Sequence, residues 1–284
     1  MKLRSGTVYN VPPPTQGVAT LIARGEFMVC VDSDTFIFPG ALQKLMQGFI
    51  DGLDAGRVMA AAEEAMALAI TRAQQHGVCI LGLHHSHHIG RVGHWAEQAC
   101  RAGLIAIHFV NVLSSALVAP WGGRQARFGT NPFTIGVPVD GAPPLLLDFA
   151  TSAIAMGKVR VAHNKGETLA PGILIDDQGQ PSTDPGVMFR EPHGALLPFG
   201  EHKGYGLAVA CEILAGALTG GITLHGRPSP HAIINNMLSF IVDPERLGTA
   251  ARLTQETRAF ADWVTASPPM PGPVRSRSFS PTVF

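Results

Sequence analysis

The 284-residue chain contains no G-x-G-x-x-G turn and no G-x-x-x-x-G-K-[ST] loop. A Rossmann or P-loop nucleotide site is therefore unsupported. Charge is scarce at 15% of residues, and 21 Lys+Arg balance 21 Asp+Glu. No Lys/Arg-rich run or aromatic–basic interleaving is present, so neither nucleic acid nor an anionic membrane is expected as a partner. No run of ~20 apolar residues offers a membrane-spanning helix. The opening Met1-Lys2-Leu3-Arg4-Ser5-Gly6 lacks the apolar core of a signal peptide. The four cysteines, Cys30, Cys79, Cys100 and Cys211, are scattered without a CxxC pair. They read as buried thiols of a reducing compartment, and a cytoplasmic location is expected.

Hydrophobic residues make up 46% of the chain, enough for one large core or two smaller ones. Apolar residues at helical spacing predict a helix over 57–75, stopped by Gly77. A buried strand follows at 78–83, then a helix over 94–102 and a strand over 104–110. Short strands are also expected at 18–21, 27–31, 133–137, 145–149 and 172–175. Further helices are expected over 205–218 and 259–266. Strand–helix–strand alternation indicates the α/β class. Antiparallel or mixed strands are expected within 115–175, and the Pro/Ser/Arg-rich tail from Ser267 is expected to fray.

The chemistry concentrates in four clusters. The densest is His84-His85-Ser86-His87-His88-Ile89-Gly90-Arg91-Val92-Gly93-His94, with five of the twelve histidines in eleven residues. Histidine both gives and takes a proton near neutrality. An acid/base role for one of them is the favoured reading; a purely structural cluster and a zinc site remain open. The second cluster is Gly122-Gly123 through Gly129-Thr130-Asn131-Pro132, a Gly-rich turn region able to expose backbone N–H groups to an anion. The third, Asp148-Phe149-Ala150-Thr151-Ser152-Ala153-Ile154-Ala155-Met156-Gly157-Lys158, starts where a strand ends and offers Ser/Thr to cap a helix. In the fourth, His202-Lys203 sits among glycines ahead of an apolar helix, where an ammonium beside a helix N-terminus suits an anion.

Together these clusters, with Thr183-Asp184-Pro185 and Ile234-Asn235-Asn236-Met237, resemble the non-Rossmann malate/L-lactate dehydrogenase family from about Gly77 to Pro269. The resemblance implies a family-specific α/β fold with a mixed sheet. Residues 1–110 would lead into the core, 111–240 would form an NAD(P)-binding domain, and 241–284 would be a C-terminal helix and tail. It implies a homodimeric oxidoreductase that uses NAD or NADP to interconvert a small 2-hydroxy acid and its 2-oxo acid. On this resemblance His88 is the catalytic histidine. The cofactor would meet His88, Ile89, Gly90, Arg91 and Val92. It would also meet Asp148, Phe149, Ala150, Thr151, Ser152, Ala153 and Ile154, and then His202 and Lys203. No metal is implied.

The sequence departs from that pattern in three places. The family's Ser-His-Gly motif and the arginine that clamps the substrate carboxylate do not occur; the chain starts near their expected end, at Arg4-Ser5-Gly6. Its Pro-Gly-Glu segment is replaced after Ser267 by Arg275-Ser276-Arg277-Ser278. An insertion is expected at 46–54. The expectation is a chain shortened at both ends with weak turnover, the alternative being an inactive remnant of such an enzyme.

Overall fold

A computed structural model of the chain describes residues 29–31, 34–36, 60–226 and 233–268. Two short strands, β1 (Val29–Val31) and β2 (Asp34–Phe36), pair antiparallel. The expected strand at 18–21 and the insertion at 46–54 lie outside the described residues. Helix α1 (Ala60–His76) follows. Its buried face is Ala61, Ala62, Ala65, Met66, Ala69 and Ala73. Small side chains at this spacing let the helix lie close to the sheet beneath it. Gly77 ends it with φ +91°, donating its N–H to the Ala73 carbonyl at 2.7 Å. A left-handed backbone of that kind favours glycine.

The main sheet contains β3 (Val78–His87), β4 (Ile105–Leu113), β5 (Phe133–Val137), β6 (Leu145–Phe149) and β10 (Ile234–Val242), in the order β3-β10-β4-β5-β6. Every ladder is antiparallel. The α/β class is as expected, but among the described residues the main sheet contains no parallel ladder; the parallel pairing lies outside it, in the single bridge Val118↔Leu196. The reason is positional. Strands β3 and β4, joined by helix α2 (Gly93–Arg101), run in the same direction, and β10 inserts between them. The boundaries expected near residues 110 and 240 fall inside β4 and β10.

Helices α1 and α2 cover one face of this sheet. Trp95, Ala96 and Ala99 of α2 join Leu81, Leu83, Ala106, Val110, Met237 and Ile241 in one core. Burying that many large side chains is the main stabilising term, worth ~2 kcal/mol for each Leu, Ile or Met. Helix α4 (His202–Cys211) runs without a break into a π-helical turn, Glu212–Ala217, against the other face. The predicted helix over 205–218 is thus one continuous segment of two geometries.

A second, smaller core is built from Val118, Val159, Leu174, Met188 and Leu196. It joins helix α3 (Met156–Lys165) to a three-stranded sheet in the order β8-β7-β9, made of β7 (Leu174–Ile175), β8 (Pro181–Ser182) and β9 (Ala195–Leu196). Asp184 caps the following 3₁₀ turn by accepting from the Gly186 N–H at 2.7 Å. Hydrogen bonds from Arg190 and then from Gly186 hold its carboxyl below the usual carboxylate range. The last helix, α5 (Ala250–Thr265), begins nine residues before the predicted 259–266 and buries no residue. No helix among the described residues is long and apolar enough to cross a membrane.

Candidate functional site

The histidine run is mostly strand, not loop. Strand β3 continues to His87 because β10 pairs with it as far as Ile234↔His87. The ladder slips between Asn235 and Met237, and the extra residue is absorbed at His84–His85, where His85 has φ +52°. A bulge of this kind re-aims the side chains that follow it.

Two asparagines of β10 hold what comes next. The His85 N–H donates to Asn236 Oδ1 at 2.6 Å, and the Ile89 N–H donates to Asn235 Oδ1 at 3.1 Å. His88 lies between these anchors and is exposed. Its Nδ1 accepts from the Gly90 N–H at 3.1 Å. A neutral ring with Nδ1 accepting carries its hydrogen on Nε2, leaving Nε2 for a ligand. The neighbouring rings are differently placed. His84 and His85 bring their Nδ1 atoms to 2.7 Å, so one must donate to the other. Burial, and then the charge of His85, lowers the His84 pKa to about 4. Burial, and then the charge of His88, lowers His87. No group of three His, Cys, Asp or Glu able to hold a metal occurs among the described residues.

His88 opens onto a cavity of about 640 Å³. Ile89, Gly90 and Val92 continue its rim. Val110 and Val112 of β4, Leu117 and Pro132 give it an apolar wall. Ser114, Ser115, Thr130 and Asn235 add polar edges. Ala150 and the start of α3, Ala155, Met156 and Gly157, close the far side with Arg160. Ala155 at the cap position makes no side-chain hydrogen bond, so the first N–H groups of α3 are not satisfied by a cap. An uncapped helix start with an arginine one turn in suits a phosphate. The apolar wall suits a flat ring. A dinucleotide fits this set of residues.

The remaining predicted residues are placed otherwise. Arg91 leaves the cavity to meet Glu97 at 2.7 Å and Asp148 at 3.5 Å. These contacts raise its pKa, the Glu97 hydrogen bond most. Asp148 turns toward α2, accepting from the Gly93 N–H at 3.0 Å and from Thr134 Oγ1 at 2.9 Å. Thr151 and Ser152 are buried, and they do not cap α3. Thr151 Oγ1 donates to the Thr130 carbonyl at 3.1 Å, and Ser152 Oγ to the Ile154 carbonyl at 2.8 Å. Thr151 locks the strand end to the turn that carries Thr130, and Ser152 folds the chain after it back on itself. Phe149 packs edge-on against Phe199 at 5.0 Å, and His202 against Trp121 at 5.6 Å. Phe149, Ala153, Ile154, His202 and Lys203 do not line the cavity.

Sequence reasoning missed Ser114, Ser115 and Arg160, and it gave no site role to Met156 and Gly157 of the third cluster. The uncapped glycine-bearing start at 155–157, followed by an arginine, was the available signal. A second cavity, about 780 Å³, lies among Cys100, Arg101, Asp140 and Leu253 and contains none of the predicted residues.

Comparison with known proteins adds an independent line. The sequence profile of the malate/L-lactate dehydrogenase family matches residues 48–277. Hydroxycarboxylate dehydrogenase B of Escherichia coli K12 is 56% identical over 211 residues, covering 73% of this chain and 58% of the relative. L-lactate dehydrogenase of Cupriavidus necator is 45% identical over 213 residues, covering 74% and 61%. Among solved structures, Δ1-piperideine-2-carboxylate reductase of Pseudomonas syringae superposes with a TM-score of 0.64 at 34% identity, covering 73% of this chain and 64% of that one. The chain therefore spans about three-fifths of the length of the curated relatives it matches. It belongs to the malate/L-lactate dehydrogenase family.

Proposed function

We propose that the chain is an NAD(P)-dependent oxidoreductase interconverting a small 2-hydroxy acid and its 2-oxo acid. The observation that carries this reading is the position of His88. Its ring stands on the rim of the one described cavity that joins an apolar wall to an uncapped helix start and an arginine. The relatives' names, a hydroxycarboxylate and an L-lactate dehydrogenase, support the substrate class.

The bound dinucleotide would exchange a hydride with the substrate carbon. This chain's residues do the rest. His88 Nε2 donates a hydrogen bond to the 2-oxo oxygen and stabilises the negative charge that develops there. In the other direction Nε2 takes the hydroxyl proton, which requires the neutral ring to release the Gly90 N–H and carry its own hydrogen on Nδ1. Asn235, through the Ile89 N–H, fixes the backbone on the far side of His88. Val110, Val112 and Leu117 exclude water from the reacting face. The first turn of α3 and Arg160 hold a phosphate. Residues 111–240 supply most of the cavity, consistent with a cofactor-binding role for that stretch. Arg91 and Asp148 serve by tying α2 to β6 behind the His88 loop.

A homodimer, in the cytoplasm, completes the reading. Val209, Ile213 and Leu218 stay exposed along α4 and its π turn, an apolar surface suited to a second copy. Cys100 and Cys211 are buried free thiols whose pKa burial pushes up to about 12, as suits a reducing compartment.

Fluorescence titration with NADH and NADPH, followed by a steady-state assay with malate, lactate and their keto acids, tests the proposal. Saturable binding of one nucleotide and turnover of one acid are expected. No binding at millimolar nucleotide would overturn it.

A further inference from the structure

Glu212 is a charged side chain that the cavity does not use. It is 6% exposed and lies at the first residue of the π-helical turn, on the sheet face opposite α1 and α2. Three donors converge on it. Asn131 Nδ2 donates to Oε1 at 2.8 Å; Asn111 Nδ2 and the Leu224 N–H donate to Oε2 at 3.2 and 2.8 Å. A buried carboxylate is tolerated only when its lone pairs are satisfied in this way.

Each asparagine passes the arrangement on. With its NH2 committed to Glu212, Asn131 turns Oδ1 to the Val112 N–H at 3.0 Å. That fixes Asn131 at φ +32°, between Thr130 and Pro132 of the cavity wall. Asn111 likewise turns Oδ1 to Asn236 Nδ2 at 2.6 Å. Asn236 must then turn its own Oδ1 to the His85 N–H, also at 2.6 Å. The chain of bonds runs Glu212 ← Asn111 ← Asn236 ← His85, with every donor pointing the same way. It ends on the bulge that aims the His88 loop.

We propose that Glu212 is a positioning residue: its carboxylate sets the polarity of the Asn111–Asn236 relay and thereby holds the His85 bulge and the Thr130–Pro132 wall in register with each other. A carboxylate only accepts, so it faces the NH2 groups of Asn111 and Asn131 toward itself, in the same sense as the Ile222 and Ala208 carbonyls that accept from them at 3.2 and 3.4 Å. A glutamine of the same shape cannot do this. In either orientation it sets an NH2 against a donor, and one amide in the relay must flip or lose its partner. The structural part of the inference needs no ligand; its consequence for nucleotide binding rests on the function proposed above.

The test is hydrogen exchange of backbone amides, read residue by residue on the full chain. In Glu212→Gln the His85 amide should exchange at least ~10-fold faster, while amides inside α1, such as Ala69, keep their rates. Asn236→Ala removes the last acceptor and adds no buried donor, so it reads the same relay if E212Q folds poorly. It should expose the His85 amide equally. The double variant should be no worse than the more affected single one, as expected for groups acting in one chain. NADPH affinity should fall alongside. Unchanged His85 exchange in E212Q, equal acceleration of all amides, or additive effects in the double variant would overturn the proposal. Failure of the wild-type chain to bind either nucleotide would strike the functional reading and leave the exchange result standing.

Discussion

Trp95 Nε1 donates to the Ile89 carbonyl at 3.1 Å, tying the first turn of α2 to the residue that follows His88. The indole is 1% exposed and sits in the main core. One side chain thus joins the packing of the sheet to the aim of the His88 loop.

Trp95→Ala should therefore cost ~3–5 kcal/mol of stability, as large aromatic deletions in cores do. Trp95→Phe keeps most of the packing and loses the donated bond. It should cost only ~1 kcal/mol yet weaken nucleotide binding. Denaturant unfolding and fluorescence titration on the two variants separate the two roles.

His88→Asn should reduce turnover by ~10²–10⁴-fold, the usual worth of a positioned acid or base. Nucleotide affinity should change little, because the ring is one of many groups on the cavity wall. Steady-state kinetics beside a binding titration checks this. A parallel loss of both would assign His88 to binding alone.

Arg160 stands on the exposed side of α3, its guanidinium 5.5 Å from the Phe189 ring centre. Arg160→Ala should weaken NADH or NADPH binding ~10-fold at low salt, the scale of one charge-assisted phosphate contact. The gap between variant and wild type should narrow as ionic strength rises. Titrations at two salt concentrations read both effects.

Burial holds His108 at a pKa of about 3 and, helped by His85, His84 at about 4, both from 6.5. An unfolded chain takes up these protons near pH 6.5, whereas the folded chain refuses them until far lower. Stability from these groups is complete above about 6.5 and falls as pH drops toward 4, the His108 part continuing toward 3. Urea midpoints should decline steadily from pH 7 to 4.5. A flat profile would contradict the buried, neutral state of both rings.

Much of this fold was legible as pattern. Strands β5 and β6 stand where short apolar runs between Gly and Pro put them, and α1 where its alanine stripe and Gly77 put it. The order of the sheet was not. Strand β10 begins 121 residues after β4 ends, yet it lies between β3 and β4. No local signal encodes such a pairing. The site divides the same way. His88 was visible only through the family resemblance, which picked it out of a histidine run that composition alone left undecided. Arg160 was not, because a lone arginine on a short helix looks like any solvated one. Thr151 and Ser152 read as caps from their type. They turned inward to the Thr130 and Ile154 carbonyls, because the helix starts four to five residues further on, beyond the reach of a cap. Asn235 and Asn236 belonged to a motif, but their purpose appears only once β10 lies beside the bulge at His85.

The central claim is that a nicotinamide ring lies against the imidazole of His88. A crystal structure of the chain with NADH or NADPH, at the higher-affinity nucleotide's saturating concentration, measures it directly. The account predicts the nicotinamide within about 5 Å of the His88 ring, leaving room for a substrate oxygen at near-attack distance, and a phosphate at the start of α3. A dinucleotide bound with its nicotinamide beyond about 10 Å from that ring, several times the span of a hydrogen bond, would contradict it.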